Sequence, residues 1–405
     1  MLLVAGASCG GLLHGWQCQP RWSRASSYCC DVQPDKSIEA GIEAFLSKMK
    51  AEGGDRWSDD GWNDDDGIEE DGDDDGWVES ERFEQELLDE LSYPAKALAE
   101  QRFLGAGEAL EMHEDSQSAV AAAAAISETG QGVVRLKEVL SVSLAAELRE
   151  FAISEMRVAR RAQQAVADGV ATNSREVRLS NVLAPEVRWD VRLPMKSVVR
   201  RALRELLGSD APLGGAFEIA CGGQEAELWE LSAMISAPGA ASQIVHADCD
   251  GAPNPPLLFT CFVALQPVTR ALGPTRWLPT THCDAAAHMA VNAHGDATVL
   301  RGADGTSPPL SRVGLLSTGD ASLYDGRILH CGGTNSAGGP DDGDGLRVLF
   351  YLTFRHADAL ETGLNPAARS LLTRYSGRVT LGMLRDAERG FDGYLTGGLD
   401  WEAAD

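Results

Sequence analysis

The stretch Gln243-Ile-Val-His-Ala-Asp-Cys-Asp250 places a histidine and an aspartate two residues apart. Side chains at positions i and i+2 of an extended strand point to the same side, so His246 and Asp248 can converge on one ion. On a helix the same spacing would direct the two side chains apart. The stretch therefore predicts a strand that supplies two metal ligands, and the rest of the chain has to supply the others.

A third candidate ligand, His330, follows in the glycine-containing stretch Asp325-Gly-Arg-Ile-Leu-His-Cys-Gly-Gly333. Two imidazoles and one carboxylate hold a non-haem Fe(II) and leave neighbouring coordination positions open for a cosubstrate and O2. Open coordination positions indicate a site for chemistry rather than a structural metal. His246, Asp248 and His330 are therefore the predicted catalytic and metal-binding residues.

Two other residues compete for the ligand positions. His282 also lies downstream of the pair, but it follows a tight turn only 282 − 246 = 36 residues on, whereas His330 lies 330 − 246 = 84 residues on. Asp250 could replace Asp248, although the following glycine favours a turn there. Two further histidines are expected to be solvated in a polar loop: His288 and His294.

Three segments stand in order behind the histidine and aspartate pair: Gly273-Pro-Thr-Arg-Trp-Leu-Pro-Thr-Thr-His282, the stretch around His330, and Leu346-Arg-Val-Leu-Phe-Tyr-Leu-Thr-Phe-Arg355. This combination resembles the phytanoyl-CoA dioxygenase family of Fe(II)- and 2-oxoglutarate-dependent oxygenases, over residues 130–360. The resemblance implies a mainly β fold with bracing helices, a double-stranded β-helix of the jelly-roll or cupin-like type. It also implies Fe(II) as the cofactor, 2-oxoglutarate as the cosubstrate and O2 as the oxidant.

The resemblance assigns cosubstrate-binding roles to three residues. Arg347 would receive the distal carboxylate of 2-oxoglutarate, because a guanidinium offers a planar fork to a carboxylate. The apolar run around Arg347 predicts a buried strand. Met234 and Phe262 fall where the family lines the cosubstrate with a methionine and an aromatic residue, and both also suit plain core positions. The glycine-rich stretch 336–345 between His330 and Arg347 is expected to bulge outward as a loop.

Asp248 also bears on the reaction, because relatives that halogenate have a small residue in its place. The implied reaction is hydroxylation of a C–H bond of a small organic substrate, such as an acyl-CoA, a lipid or another metabolite. One alternative is a catalytically silent jelly roll that docks partners through its acidic segment. Another is a metal-binding cupin isomerase that needs no 2-oxoglutarate and has no use for Arg347.

Charge is unevenly distributed along the 405 residues, whose formal net charge is −26. Residues 31–90 contain 23 acids and 5 bases, a net charge of 5 − 23 = −18. Like-charge repulsion and many glycines predict that this acidic segment is disordered and available to a protein partner. Such acidity makes nucleic acid an unsuitable partner.

The ends of the chain give weaker signals. Residues 1–30 contain no acid and resemble a targeting segment, which predicts a plastid or mitochondrial destination and otherwise a cytoplasmic one. No apolar run has the length of a membrane span. Residues 91–129 are predicted as a helical linker, the oxygenase domain as 130–360, and residues 361–405 as a C-terminal extension.

Overall fold

The fold rests on two facing β-sheets in a computed structural model that describes residues 93–111, 118–169, 178–249, 258–339, 343–359, 364 and 369–386. The strands in this part of the chain are β1 (Glu108–Ala109), β2 (Val133–Leu136), β3 (Leu179–Ser180), β4 (Arg188–Arg192), β5 (Glu227–Ser236), β6 (Leu258–Ala264), β7 (Thr275–Trp277), β8 (Arg312–Val313), β9 (Ala321–Asp325), β10 (His330–Gly332) and β11 (Arg347–Arg355).

One sheet has seven strands in the order β2-β9-β6-β11-β5-β4-β3, and the other has four in the order β1-β8-β7-β10. All pairs are antiparallel except β1 with β8. Neighbours in each sheet are mostly distant in sequence, as in a jelly roll, in which successive strands alternate between the sheets. The predicted double-stranded β-helix is confirmed.

Helices cover the outer face of the seven-stranded sheet. The described part of the chain is helical at 93–104 (α1), Ala119–Ile126 (α2), Val142–Ala167 (α3), Ser197–Leu207 (α4), Pro212–Ala220 (α5), Ala285–His294 (α6) and Leu381–Arg385 (α7). The apolar face of α3, with Leu144 and Leu148, shares one buried core with Leu231 and Ile235 of β5. None of these helices combines the length and the apolar character that a membrane crossing requires.

Side chains alternate along the central strands and thereby define an inner face of the seven-stranded sheet. On β5, Leu231 and Ile235 enter the helix-covered core. Ser232, Met234 and Ser236 alternate with the core residues of this strand and point the other way, into the space between the sheets. Directly opposite residues of neighbouring strands share a face, so this inner face continues across β4, β11, β6 and β9.

Two segments beyond 130–360 join the folded unit. In α1, the carboxylate of Glu100 accepts a hydrogen bond from the backbone N–H of Val245 at 2.7 Å. After residue 360, Leu372 and Leu381 are fully buried in the main core. We propose that the oxygenase domain has wider limits than the sequence predicted and includes both segments. The predicted targeting segment 1–30 and acidic segment 31–90 lie outside the described residues.

Candidate active site

His246, Asp248 and His330 lie together, with one possible ligand atom of each within 4.8 Å of the others. The backbones of His246 and His330 form an antiparallel bridge, in which each N–H donates to the other's carbonyl oxygen at 2.9 and 2.8 Å. The two imidazole rings are 4.5 Å apart, and Nε2 of His330 is 3.5 Å from Oδ1 of Asp248. Backbone pairing between distant parts of the chain therefore brings the three predicted ligands together.

Both imidazoles are oriented by their own backbone. Nδ1 of His246 lies 2.9 Å from the carbonyl oxygen of Ile244, and Nδ1 of His330 lies 3.0 Å from that of Ile328. A carbonyl accepts, so each Nδ1 carries the proton and each Nε2 keeps a free lone pair. Two Nε2 lone pairs and one carboxylate are the donor set that suits non-haem Fe(II).

The aspartate is held from the opposite side. Tyr324 of β9 donates its hydroxyl hydrogen to Oδ2 of Asp248 at 3.0 Å, and the Asp248 backbone N–H donates to Gly326 at 2.8 Å. The Asp248 side chain is 26% exposed, whereas that of His330 is 5% exposed. The candidate metal centre is therefore buried on the side of His330 and partly exposed to solvent on the side of Asp248.

Burial and the neighbouring His330 lower the pKa of His246 to about 4. Desolvation disfavours the charged imidazolium, and a second imidazole beside it acts in the same direction. His246 is therefore neutral at physiological pH. A neutral imidazole is the form that binds a metal ion, so protons do not compete for this ligand near neutral pH.

Helix α1 fixes the segment that carries the first two ligands. Glu100 is 1% exposed. Its carboxylate accepts the hydrogen bond from the Val245 N–H and a second hydrogen bond from the backbone N–H of Ala297 at 2.5 Å. The hydroxyl of Tyr93 accepts a hydrogen bond from the N–H of Ile244 at 3.1 Å. These supports were not predicted, because no local motif marks a glutamate that binds a backbone 145 residues away.

Arg347 is the first residue of β11 and is 1% exposed. Its guanidinium donates to the carbonyl oxygen of Gly273 and to the hydroxyl of Ser236 at 3.1 Å, while its Nε has no hydrogen-bond partner. Burial, together with the nearby Arg188, lowers the pKa of Arg347 to about 9. A buried cation with an unused donor is a suitable receptor for an anion.

Arg188 of β4 is a second buried guanidinium that the sequence analysis missed. It is 1% exposed and lies opposite Ser236, to whose hydroxyl its Nε donates at 3.1 Å. Arg188 and Arg347 thus share one serine hydroxyl, and neither forms an ion pair with a carboxylate in the described part of the chain. The two cations lie side by side on the inner face of the sheet, and together with Ser236 we call them the arginine pocket.

Met234 and Phe262, the two other predicted cosubstrate residues, lie on the same inner face. Met234 stands between β4 and β11, opposite Asp190 and Leu349. The ring of Phe262 is 5.5 Å from that of Tyr324, which contacts Asp248. Both side chains are half-buried. They lie on the face that also carries Arg347 and Tyr324, and their lining role stays a prediction.

His282 lies apart from the candidate metal centre. It is fully buried, and its Nε2 lies 3.0 Å from the carbonyl oxygen of Ser127, which precedes β2. Nδ1 of His282 has no hydrogen-bond partner and faces Gly132, whose φ is +80°. The geometry therefore gives His282 a structural role, in which it connects the turn after β7 to the segment between α2 and β2.

Replacing Gly132 with alanine is expected to lower the free energy of unfolding by about 2 kcal/mol or more. The new Cβ would lie 2.5 Å from Nδ1 of His282, in a backbone conformation that favours glycine. Gly169 has a φ of +69° and no neighbouring atom within 4 Å, so Gly169→Ala reports backbone strain alone. Chemical denaturation of both variants measures the difference, and equal losses would contradict the contact with His282.

Other sequence predictions have mixed outcomes. The prediction of a polar loop with solvated histidines is wrong for His288, which is buried on α6 and contacts the carbonyl oxygen of Thr281 at 3.0 Å. Its apolar helical neighbours, not a loop, surround it. His294 ends the same helix with its side chain 52% exposed. Asp250 lies outside the described residues, as do 340–342 of the predicted loop.

Comparison with known proteins gives one family. The family model described as phytanoyl-CoA dioxygenase (PhyH) matches residues 129–340. That range covers more than half of the 405 residues. It includes all three residues of the candidate metal centre and ends before Arg347. A search of curated proteins found no match.

Solved structures similar to this chain include three enzymes of low identity. SnoK, a non-haem α-ketoglutarate-dependent carbocyclase from nogalamycin biosynthesis, is 17% identical over 59% of this chain and 84% of its own, with a TM-score of 0.38. EvdO2 from Micromonospora carbonacea var. aurantiaca, complexed with 2-oxoglutarate, is 19% identical over 64% of this chain and 98% of its own, with a TM-score of 0.36. EctD from S. alaskensis is 16% identical over 69% of this chain and 91% of its own, with a TM-score of 0.39.

Proposed function

Because the chain belongs to the phytanoyl-CoA dioxygenase family of Fe(II)- and 2-oxoglutarate-dependent oxygenases, we propose that it hydroxylates a C–H bond of a small organic substrate, such as an acyl-CoA, a lipid or another metabolite. Membership makes the chain an oxidoreductase of the dioxygenase class, with Fe(II) as cofactor and 2-oxoglutarate as cosubstrate. The observation that carries the proposal is the convergence of His246, Asp248 and His330 within 4.8 Å.

In this proposal Nε2 of His246, Nε2 of His330 and the Asp248 carboxylate hold the iron. Bound there with 2-oxoglutarate, the iron would activate O2, the oxidant, so that one oxygen atom enters an unactivated C–H bond and the other enters the succinate that forms, with CO2, from 2-oxoglutarate. The protein supplies orientation. Hydrogen bonds from each Nδ1 to a backbone carbonyl set the imidazoles, and the Tyr324 hydroxyl sets the carboxylate.

The arginine pocket receives the distal carboxylate of 2-oxoglutarate. Arg347 and Arg188 present two guanidiniums around the Ser236 hydroxyl, and the buried Nε of Arg347 is still free to donate. When the arginine pocket holds the distal carboxylate of 2-oxoglutarate, the keto acid group of the same molecule points toward the metal centre. Because the pocket is buried, the carboxylate's attraction to both cations is weakened little by water.

The intact aspartate supports hydroxylation over halogenation. Asp248 occupies the ligand position beside His246, and its second oxygen is bound by Tyr324. A halide therefore has no vacant place at this position.

The apolar and aromatic groups nearby, Phe262 and Trp277, keep water from the reacting carbon, which limits side reactions.

The decisive experiment is a 2-oxoglutarate turnover assay with the full chain. We expect the protein to retain Fe(II) after anaerobic reconstitution and to form succinate when 2-oxoglutarate and O2 are added. Removing the metal with a chelator should abolish succinate formation, and fresh Fe(II) should restore it. A protein that neither retains Fe(II) nor forms succinate would exclude the proposed activity. Profiling of metabolites consumed by the active protein would then identify the substrate.

A further inference from the structure

A row of four polar side chains crosses the inner face of the seven-stranded sheet, at the end away from the arginine pocket. Glu230 of β5 lies opposite Thr353 of β11, Thr353 opposite Thr260 of β6, and Thr260 opposite Tyr324 of β9. Directly opposite residues of paired strands share a face. The row therefore starts at Glu230 and ends at the tyrosine that binds Asp248.

Hydrogen bonds connect most of this row. Thr353 donates its hydroxyl hydrogen to Oε2 of Glu230 at 2.6 Å, and the hydroxyls of Thr260 and Thr353 are 3.0 Å apart. Thr260, Thr353 and Tyr324 are each at most 1% exposed, whereas Glu230 is half-buried. Glu230 is therefore the most solvent-exposed member of the row.

Glu230 lacks a counter-ion. No lysine, arginine or histidine in the described part of the chain forms an ion pair with it, and its side-chain partner is the neutral Thr353. Burial, together with the negative charge of Asp248, raises the pKa of Glu230 to about 8. An acid in such surroundings destabilises the fold when charged, so a cation or strong donor brought by a ligand would stabilise its carboxylate.

The interior of the sheet thus has two chemically opposite ends. Arg188 and Arg347 form a basic end, whereas the carboxyl group of Glu230 lies toward the other end, with Met234 and Phe262 between them. The basic end takes the cosubstrate carboxylate in the proposed function. The end at Glu230 is not used by the cosubstrate and is left for the substrate.

We infer that Glu230 binds an amino group of the substrate, so that the enzyme acts on a small molecule carrying an ammonium or similar cationic nitrogen. This inference rests on the proposed function, which places the reacting carbon at the metal centre. Glu230 then sets substrate specificity by orienting the molecule. The Thr353 hydroxyl positions the carboxylate for that contact.

The test uses n-butylammonium as the probe, with n-butanol and butyrate as matched neutral and anionic probes. Each is titrated calorimetrically into the full chain, kept anaerobic with 2-oxoglutarate, with and without Fe(II). We expect wild type to prefer n-butylammonium, and Glu230→Gln to bind it about tenfold more weakly or worse, because the variant cannot form the charge-assisted hydrogen bond. Glu150→Gln, an exposed acid of α3, is the control and should bind as wild type does.

Two outcomes would overturn the inference: equal binding of n-butylammonium by wild type and Glu230→Gln, or no preference of wild type for the ammonium over n-butanol. If Glu230→Gln does not fold, Glu230→Asp serves instead, because it withdraws the charge by one methylene. Glu230→Asp should bind n-butylammonium more weakly than wild type does, and it should bind n-butanol as well as wild type does. Unchanged binding of n-butylammonium by this variant would overturn the inference. Succinate formation by wild type reports separately on the proposed function.

Discussion

Asp248→Asn is expected to lower Fe(II)-dependent succinate formation by more than about 100-fold, since even residues that merely support metal ligands contribute about 10- to 100-fold. The substitution preserves the size of the side chain but removes the negative charge that attracts Fe(II) to the site beside His246 and His330. The asparagine oxygen can still accept the hydrogen bond from Tyr324, so the fold around the site should persist. Iron content after anaerobic reconstitution and succinate formation measure the effect.

Asp358→Asn is the matched control for this change. Asp358 is an exposed turn residue, so its replacement removes the same charge from the protein without touching the candidate metal centre. We expect it to retain both iron and succinate formation. Full iron content and activity in Asp248→Asn would show that the metal is held elsewhere, and would reopen the position for Asp250.

Arg347→Met is expected to raise the KM for 2-oxoglutarate by about 100-fold, because removing one partner of a buried pair of opposite charges costs roughly 3 kcal/mol. The same change should alter the free energy of unfolding of the 2-oxoglutarate-free protein by only about 1 kcal/mol. Arg347 has no carboxylate partner in the described protein, and its replacement relieves repulsion with Arg188. Initial rates and chemical denaturation measure the two quantities.

Arg276→Met provides the contrasting control. Arg276 is also buried, but its guanidinium donates to the carbonyl oxygen of Leu104 and to Ser311, and so connects loop segments. We expect this variant to lose stability and keep its KM for 2-oxoglutarate. If Arg347→Met instead lowers the free energy of unfolding strongly while the KM for 2-oxoglutarate is unchanged, the arginine pocket is structural. A reaction without 2-oxoglutarate then becomes the better explanation.

Local spacing explains which parts of the site were predictable. His246 and Asp248 are two residues apart, and Arg347 begins an apolar strand, so their chemistry can be read from neighbours in sequence. The strand predicted around His246 is not formed, because this segment pairs with His330 only through an isolated bridge and then bends at Asp248. The choice of His330 over His282 agrees with the geometry, because His330 pairs directly with His246.

The remaining functional groups depend on cross-strand pairing, which has no local signal. Arg188 precedes Arg347 by 159 residues, and Ser236 joins them only because β4 and β11 both flank β5. Glu230 shares a row with Tyr324, which binds Asp248, only through the order of four strands. His288 was misjudged because its segment was predicted to be a polar loop, whereas Ala285–His294 is an alanine-rich helix with one buried side.

The amino-acid sequence was enough to predict His246, Asp248 and His330 as the donor set, and the order of its motifs identified the family and the dioxygenase class. These predictions depend on residue identity and on spacing along the chain. That Arg188 accompanies Arg347, and that Glu230 shares a polar row with Tyr324, is visible only in the three-dimensional structure. Such pairs are set by strand order and register, which depend on the packing of the whole core.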